Sequence, residues 1–399
     1  MDRLLENKTV ILGVSASIAA YKAAELVSAL KKKGADVHVI MTKNALHFMD
    51  PLTFETLSGN RCITDTFDRS HPYEVDHIAL SKRADVAMVA PASADIIGKM
   101  AHGIADDMLT TTLLACTCPV LVAPAMNTAM YRHKAVQCNL ERLTSFGYRI
   151  IEPVTGLLAC GDTGEGKMEE PEMLLEQILY EIALDKDMKG KRVLVTAGPT
   201  TEAIDPVRFI SNHSSGKMGY ALARNAAMRG AEVLLVSGRT NLNPPLHVKT
   251  TGVMSAAEMA GAVKDAFQDA DIVIKAAAVA DMRPKQTGTK KLKKTAMESA
   301  LELEGTEDIL AWCGAHKNKK QFICGFAMET EDLVKNAREK LSKKNADMIV
   351  ANSLSSEGAG FRTDTNVVTI ITKKGEKQLP LLTKDAVAHE ILTEILNLC

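Results

Sequence analysis

What most constrains this chain is a pattern of buried strand, small-residue turn, amphipathic helix and second strand that occurs near the N-terminus and starts again mid-chain. From Thr9 to Thr42 the run TVILGVSASIAAYKAAELVSALKKKGADVHVIMT reads as a strand, a turn, a helix with apolar positions at helical spacing and a strand opening at Ala35. Strand candidates follow at Asp85 (DVAMVAPAS) and Val120 (VLVAPAMN), with a helical stretch from Ile96 to Cys116 between them. The helix PEMLLEQILYEIAL then runs into the charged segment DKDMKGKR, and from Arg192 the alternation restarts. There VLVTAGPT is a strand, a long loop leads to a helix opening at SSGKMG, and another strand begins after Gly230 and Ala231. Strands alternating with helices predict parallel sheets covered on both faces. The expected fold is α/β, with two doubly wound three-layer domains over residues 1–189 and 190–399 and a boundary at Gly190.

Length supports two cores, because 399 residues exceed the ~250–300 at which one core stops growing. A net charge of −1 excludes the broad basic field that nucleic-acid binding needs. The opening residues hold only a short apolar run, and no stretch of about 18 apolar residues occurs, so a cytoplasmic protein with no membrane partner is expected. The eight cysteines form no CxxC pair, which argues against a zinc site and for reduced thiols. The Lys-rich connection from Asp281 to Leu301 reads as a mobile loop, and the last strands are expected at Asp347, at Asn366 and near Lys377, before a closing helix.

In open α/β sheets ligands bind at the carboxyl ends of strands. In the first half those loops hold Gly13, Ser15 and Ser17, then Thr42, then Ser93 and Ala94, then Ala125 and Asn127. Small residues there let backbone N–H groups and the hydroxyls of Ser15 and Ser17 approach a phosphate at a helix start; a turn packing helix on strand would look the same. The missing GxGxxG favours a mononucleotide over a dinucleotide. In the second half SSGKMG lacks the GxxxxGK[ST] pattern, so a Walker A loop is rejected and a Ser/Gly-rich helix start remains. His77 lies outside any apolar core run, Asn127 suits either a helix cap or a ligand contact, and Cys160 sits in a glycine-rich flap with Gly156, Gly161, Gly164 and Gly166, where a thiol is available for chemistry.

Taken in order, GVSASIAAYK, DHI, PASAD, PAMN and ACGDTGEGKM resemble the flavin-containing cysteine decarboxylases. VTAGPTTEAIDPVRFISNHSSGKMG, AAAVADMRP, the KKLKK run and GFAMETED resemble phosphopantothenate–cysteine ligases. Across the whole length the chain is similar to the bifunctional decarboxylase–ligases of coenzyme A biosynthesis. The resemblance implies a flavodoxin-like flavoprotein domain carrying FMN, then a Rossmann-like ligase domain using CTP and Mg2+. The ligase step would join 4′-phosphopantothenate to cysteine through an acyl-cytidylate. The flavin step would decarboxylate the product to 4′-phosphopantetheine by way of a thioaldehyde and an enethiol.

By resemblance the flavin contacts are Gly13, Ser15, Ser17, Thr42, Ser93, Ala94 and Ala125, and the decarboxylase residues are His77, Asn127 and Cys160, with Cys160 protonating the enethiol. The nucleotide contacts are Lys275, Ala276, Ala277, Asp281, Lys291, Glu307, Asp308, Ile309, Leu310, Phe326, Lys340 and Lys344, and Asn212 holds the acyl-cytidylate. Asn212 and Lys291 count among the catalytic residues; the metal ligands are left open. The chain departs from the family at Ala16 (glycine), Met282 (an aromatic) and Lys167 (often arginine). Homo-oligomers, with decarboxylase trimers linked by ligase dimers, are implied as well. The competing readings are a peptidyl-cysteine decarboxylase, a flavin-binding regulator and, at fold level, an NAD(P)-dependent dehydrogenase.

Overall fold

The computed structural model describes residues 3–67, 76–159, 161–291, 301–329, 332–353 and 363–399. It divides into two compact units, Asp2–Leu184 and Asp185–Cys399. The division falls ahead of Gly190 because the segment before that glycine is bonded into the second unit. Asp187 pairs with buried Arg229 at 2.5 Å, and Lys186 Nζ donates to Met228 O at 2.6 Å.

The N-terminal unit contains β1 (Thr9–Val14), α1 (Ala20–Lys32), β2 (Asp36–Met41), α2 (Pro51–Ser58), α3 (Asp76–Arg83), β3 (Val86–Ala92), α4 (Ala94–His102) and α5 (Met108–Ala115). It continues with β4 (Val120–Pro124), α6 (Thr128–Tyr131), α7 (Lys134–Ser145), β5 (Arg149–Ile150), β6 (Val154–Leu157), β7 (Thr163–Lys167) and α8 (Pro171–Ile182). Five strands form a parallel sheet in the order β2-β1-β3-β4-β5, the flavodoxin-like winding. Every residue of β3 is buried, as a central strand covered on both faces requires. The stretch expected as one helix from Ile96 to Cys116 is two. Asp107 builds a capping box that starts α5, its carboxylate accepting from Thr110 N at 2.8 Å while Thr110 Oγ1 accepts from Asp107 N at 3.2 Å. The glycine-rich flap is not a bare loop: β6 and β7 pair antiparallel.

The C-terminal unit runs β8 (Arg192–Ala197), β9 (Thr201–Ala203), β10 (Phe209–Ser211), α9 (Lys217–Met228), β11 (Glu232–Ser237), β12 (Val248–Gly252), α10 (Ala256–Phe267) and β13 (Ile272–Lys275). Then come β14 (Met282–Pro284), β15 (Leu303–Gly305), α11 (Ile309–His316), β16 (Phe322–Glu329), α12 (Leu333–Lys343), β17 (Met348–Ser353), β18 (Thr365–Asn366), β19 (Val368–Thr372), β20 (Gly375–Gln378), β21 (Leu382–Thr383) and α13 (Lys384–Leu398). The large sheet has the order β12-β11-β8-β13-β16-β17-β19-β20. Its first six strands are parallel and wound as in a dinucleotide-binding fold, and β19 and β20 extend it antiparallel. The long loop after β8 contains the hairpin β9–β10, and the Lys-rich connection is bounded by the pair β14–β15; its residues 292–300 lie outside the described set. No helix of the described residues is long and apolar enough to cross a membrane.

Candidate active sites

Strand order reverses between β1 and β3 in the first sheet and between β8 and β13 in the second, so each unit has one crevice at the carboxyl ends of its strands. In the N-terminal unit the loops leaving those strands are bonded to one another. Ser15 Oγ donates to Pro91 O at 2.8 Å and accepts from Ser93 N at 2.8 Å, with Ser15 only 1% exposed. Thr42 N donates to Val14 O, Ala125 N to Ala92 O and Met126 N to Gly166 O, each at 3.0 Å. A line of backbone contacts thus joins the ends of β2, β1, β3 and β4 to the flap.

The hydroxyl of Ser15 holds the two loops together, its proton given to Pro91 O. A Cβ on Gly13 would come within 2.5 Å of Leu109 Cδ1, so its smallness serves packing against α5. Ser17 Oγ accepts from Ala19 N at 3.2 Å, leaving its proton available. Ser93 caps α4, and Ala94 is the first helical residue, where N–H groups lack partners within the helix.

Asn127 caps α6, its Oδ1 accepting from Ala129 N at 2.8 Å, so the cap reading holds and fixes the orientation of the amide. The flap lies directly on this turn. Gly166 has φ +122°, and a Cβ there would stand 2.2 Å from Met126 O; at Gly164 it would stand 2.4 Å from Thr128 Oγ1. Only glycine lets β7 approach so closely. Thr128 Oγ1 is buried beneath the flap with no hydrogen-bond partner among the described residues. His77 is half-buried in the first turn of α3, which packs on α5, and Cys160 lies outside the described residues.

A residue that sequence reasoning missed anchors the flap. Lys22, buried on α1, donates from Nζ to Met168 O at 3.0 Å and pairs with Glu170 at 2.9 Å, and Lys167 reaches the same carboxylate at 3.1 Å. The bonds to Lys22 and Lys167 hold the Glu170 carboxyl below its usual range. A lysine at an inward helical position was the available signal.

A flat apolar cofactor with a phosphate fits these features. Small residues bring backbone N–H groups to the crevice, and the side chains of Ile18 and Tyr21, just after the β1 loop, are 61% and 51% exposed.

In the C-terminal unit a cavity of about 530 Å3 opens at the reversal point. Asn212, Ala276, Ala277, Asp281 and Phe326 all line it, together with the Ser214–Gly219 helix start. Asn212 Nδ2 donates to Ala278 O at 3.1 Å and Val279 O at 3.3 Å, which holds it against the loop after β13. Ala277 N donates to buried Thr196 Oγ1 at 3.2 Å.

Lys340 Nζ donates to the O of Phe326, a lining residue, at 2.9 Å, and Lys344 pairs with Asp308, the cap of α11; Lys340, Lys344 and Asp308 are not themselves among the residues lining the cavity. Burial pushes the Asp308 carboxyl up, but the bonds from Lys344 and Ala311 N together with the charges of Lys344 and Lys340 outweigh it, and the net shift is downward. Glu307 is held by Lys264 at 2.7 Å. Ile309 and Leu310 are core residues, so their backbone N–H groups, not their side chains, are what they can offer a nucleotide. Lys291 is exposed and is not among the residues lining the cavity.

Lys217, within the SSGKMG helix start, also lines the cavity, and sequence reasoning missed Asn352, Asn366 and Lys384 in the lining. These three come from β17, β18 and α13 and do not read as one motif with the earlier loops. Among the described residues no group of three or more His, Cys, Asp or Glu could hold a metal ion. Asp281 supplies a carboxylate to the cavity, which suits Mg2+ arriving on nucleotide phosphates.

Comparison with known proteins gives the class first. Residues 1–183 match the family model described as Flavoprotein, and residues 188–398 match the DNA/pantothenate metabolism flavoprotein C-terminal domain. The Coenzyme A biosynthesis bifunctional protein CoaBC of Bacillus subtilis (strain 168) is 50% identical over 396 residues, covering 98% of this chain and 97% of that protein. Its counterpart in Escherichia coli (strain K12) is 43% identical over 396 residues, covering 98% of each. The solved C-terminal domain of a CoaBC protein is 50% identical over 53% of this chain and 96% of its own, with a TM-score of 0.46. The chain belongs to the family of coenzyme A biosynthesis bifunctional proteins.

Proposed function

We propose that the chain carries out two consecutive steps of coenzyme A biosynthesis, with the later step encoded first. The C-terminal unit ligates 4′-phosphopantothenate to cysteine at the expense of CTP; the N-terminal unit decarboxylates the 4′-phosphopantothenoylcysteine formed. The observation that carries this reading is the cavity at the β8–β13 reversal, which gathers Asn212, Ala276, Ala277, Asp281 and Phe326 from separate parts of a chain whose relatives match it end to end.

An unactivated carboxylate is a poor acyl donor. Its oxygen attacks the α-phosphorus of CTP, pyrophosphate leaves, and the cysteine amine then displaces CMP from the acyl-cytidylate. Negative charge builds on phosphate oxygens in the first step, and Lys340, now bonded to Phe326 O, and Lys344, now paired with Asp308, would turn to meet it, with Lys291 arriving from the exposed loop. Mg2+ held by the phosphates and Asp281 would neutralise part of that charge. Asn212, fixed by two carbonyls, holds the acyl-cytidylate.

Loss of CO2 from the cysteine-derived carboxylate needs an electron sink, which bound FMN would supply. Around it Ser17 and the N–H of Ala94 take the phosphate at the helix start that Ser93 caps, Thr42 and Ala125 flank the crevice, and Asn127 orients substrate beneath the flap. His77 positions the carboxylate or handles a proton. Cys160 protonates the enethiol; an ordinary thiol, with a pKa of about 8.5, carries its proton at neutral pH. Exposed Val207, Phe209, Met282 and Leu303, on and beside the β9–β10 and β14–β15 arms, support ligase dimers, to which decarboxylase trimers would be linked in a cytoplasmic assembly.

The test is to record the visible spectrum of the purified protein and supply phosphopantothenate, cysteine, Mg2+ and either CTP or ATP. A flavin spectrum, CTP-dependent pyrophosphate release and CO2 are expected. A colourless protein that makes neither product would sink the reading.

A further inference from the structure

Lys275 is not accounted for by contacts. It closes β13 immediately before Ala276 and Ala277, is 7% exposed, and its Nζ has no hydrogen-bond partner among the described residues. Strand alternation puts it on the face of Val273, toward the core formed with Ile309, Leu310 and Cys313 of α11. An ammonium buried there without a partner is costly, and such groups discharge instead. Burial pushes the Lys275 amine down to about 8, against the opposing pull of Cys313 and Asp308.

The surrounding charges are already engaged. Asp308, the cap of α11, is bound by Lys344 at the end of α12; Lys340 of α12 is bonded to Phe326 O; Lys264 of α10 is bonded to Glu307. Thr196 and Gly325, its partners on the flanking strands, carry no charge. A methionine would fill the same space without the electrostatic cost, so the amine calls for negative charge that the chain itself does not supply.

We propose that Lys275 is a proton-linked counter-charge of the nucleotide site, its buried amine taking up a proton from solvent when an anionic nucleotide binds in the adjoining cavity. This rests on reading that cavity as the nucleotide site. Two changes favour the ammonium on binding. Phosphates add negative charge near the ends of β13 and α11, and Lys344, drawn to a phosphate, releases Asp308 to face Lys275. The sign follows directly: the empty site holds the amine's proton weakly and the filled site holds it tightly, so binding weakens as pH rises between the two values.

Calorimetry on the full chain tests this, titrating CTP with Mg2+ at about pH 8.5 in two buffers of different ionisation enthalpy. Net proton uptake is expected, fading toward pH 7, with the Kd for CTP rising by up to about tenfold per pH unit between about 8 and 10. The last phosphate of the nucleotide titrates well below this window, near about 6. Lys275→Met, which removes a buried cation and keeps the volume, is expected to show neither the uptake nor the slope. Wild-type binding without uptake, or uptake that persists in K275M, overturns the proposal and leaves the nucleotide reading standing. CTP that binds at no pH overturns both.

Discussion

At the loop after β1, Ser15 spends its hydroxyl twice, on Pro91 O and on Ser93 N. Ser15→Ala leaves the part-buried Ser93 N–H without this partner, and the expected cost is about 1 kcal/mol, read as a lower urea midpoint. Because the same bond holds the start of α4 in place, the variant is also expected to retain less flavin, measured by visible absorbance after dialysis. A serine in a small-residue turn was visible in the sequence; which way its hydroxyl points was not, because that depends on a strand 76 positions away. Asn127 was legible as a cap and Asn212 as a residue leading into a helix start, yet only the folded chain shows Asn212 bound to the carbonyls of Ala278 and Val279.

Between elements, close approach decides the geometry of both sites. Gly166→Ala would set a Cβ 2.2 Å from Met126 O at a backbone angle side chains avoid, so β7 must lift off the Asn127 turn. The expected result is lost CO2 release with pyrophosphate release intact, assayed in one reaction mixture. In the other unit a Cβ on Gly314 would stand 1.8 Å from Lys344 O, where the end of α12 crosses α11 and Asn345 Nδ2 donates to Gly314 O at 2.8 Å. Gly314→Ala is expected to cost about 1–3 kcal/mol and to weaken CTP binding by displacing the end of α12 that carries Lys344, checked by denaturation and calorimetry. Neither glycine's role was legible. Gly166 read as mobility because four glycines cluster in the flap, and Gly314 sits in an apolar helix with no turn signal near it.

Across the whole molecule the two crevices belong to separate units, and the product of one is the substrate of the other. Asn212→Ala is expected to abolish ligation yet still convert supplied 4′-phosphopantothenoylcysteine to 4′-phosphopantetheine, while Cys160→Ser is expected to ligate normally but to halt at an oxidised, decarboxylated intermediate. An equimolar mixture of the two variants is expected to restore phosphopantetheine output, followed by mass spectrometry; no recovery would show that the intermediate does not pass freely between molecules. The sequence by itself determined the two α/β halves, the strand-end loops and most of the residues around them, because alternation of apolar strands and amphipathic helices is a local property and ligand loops follow from it. Only the tertiary structure decided which of those residues line a cavity, which brace one loop against another, and which, like Lys22, Lys275 and Lys384, are lysines folded inward. Burial and pairing are set by parts of the chain far apart in sequence; a local pattern such as the inward helical position of Lys22 can mark the residue but not name its partner.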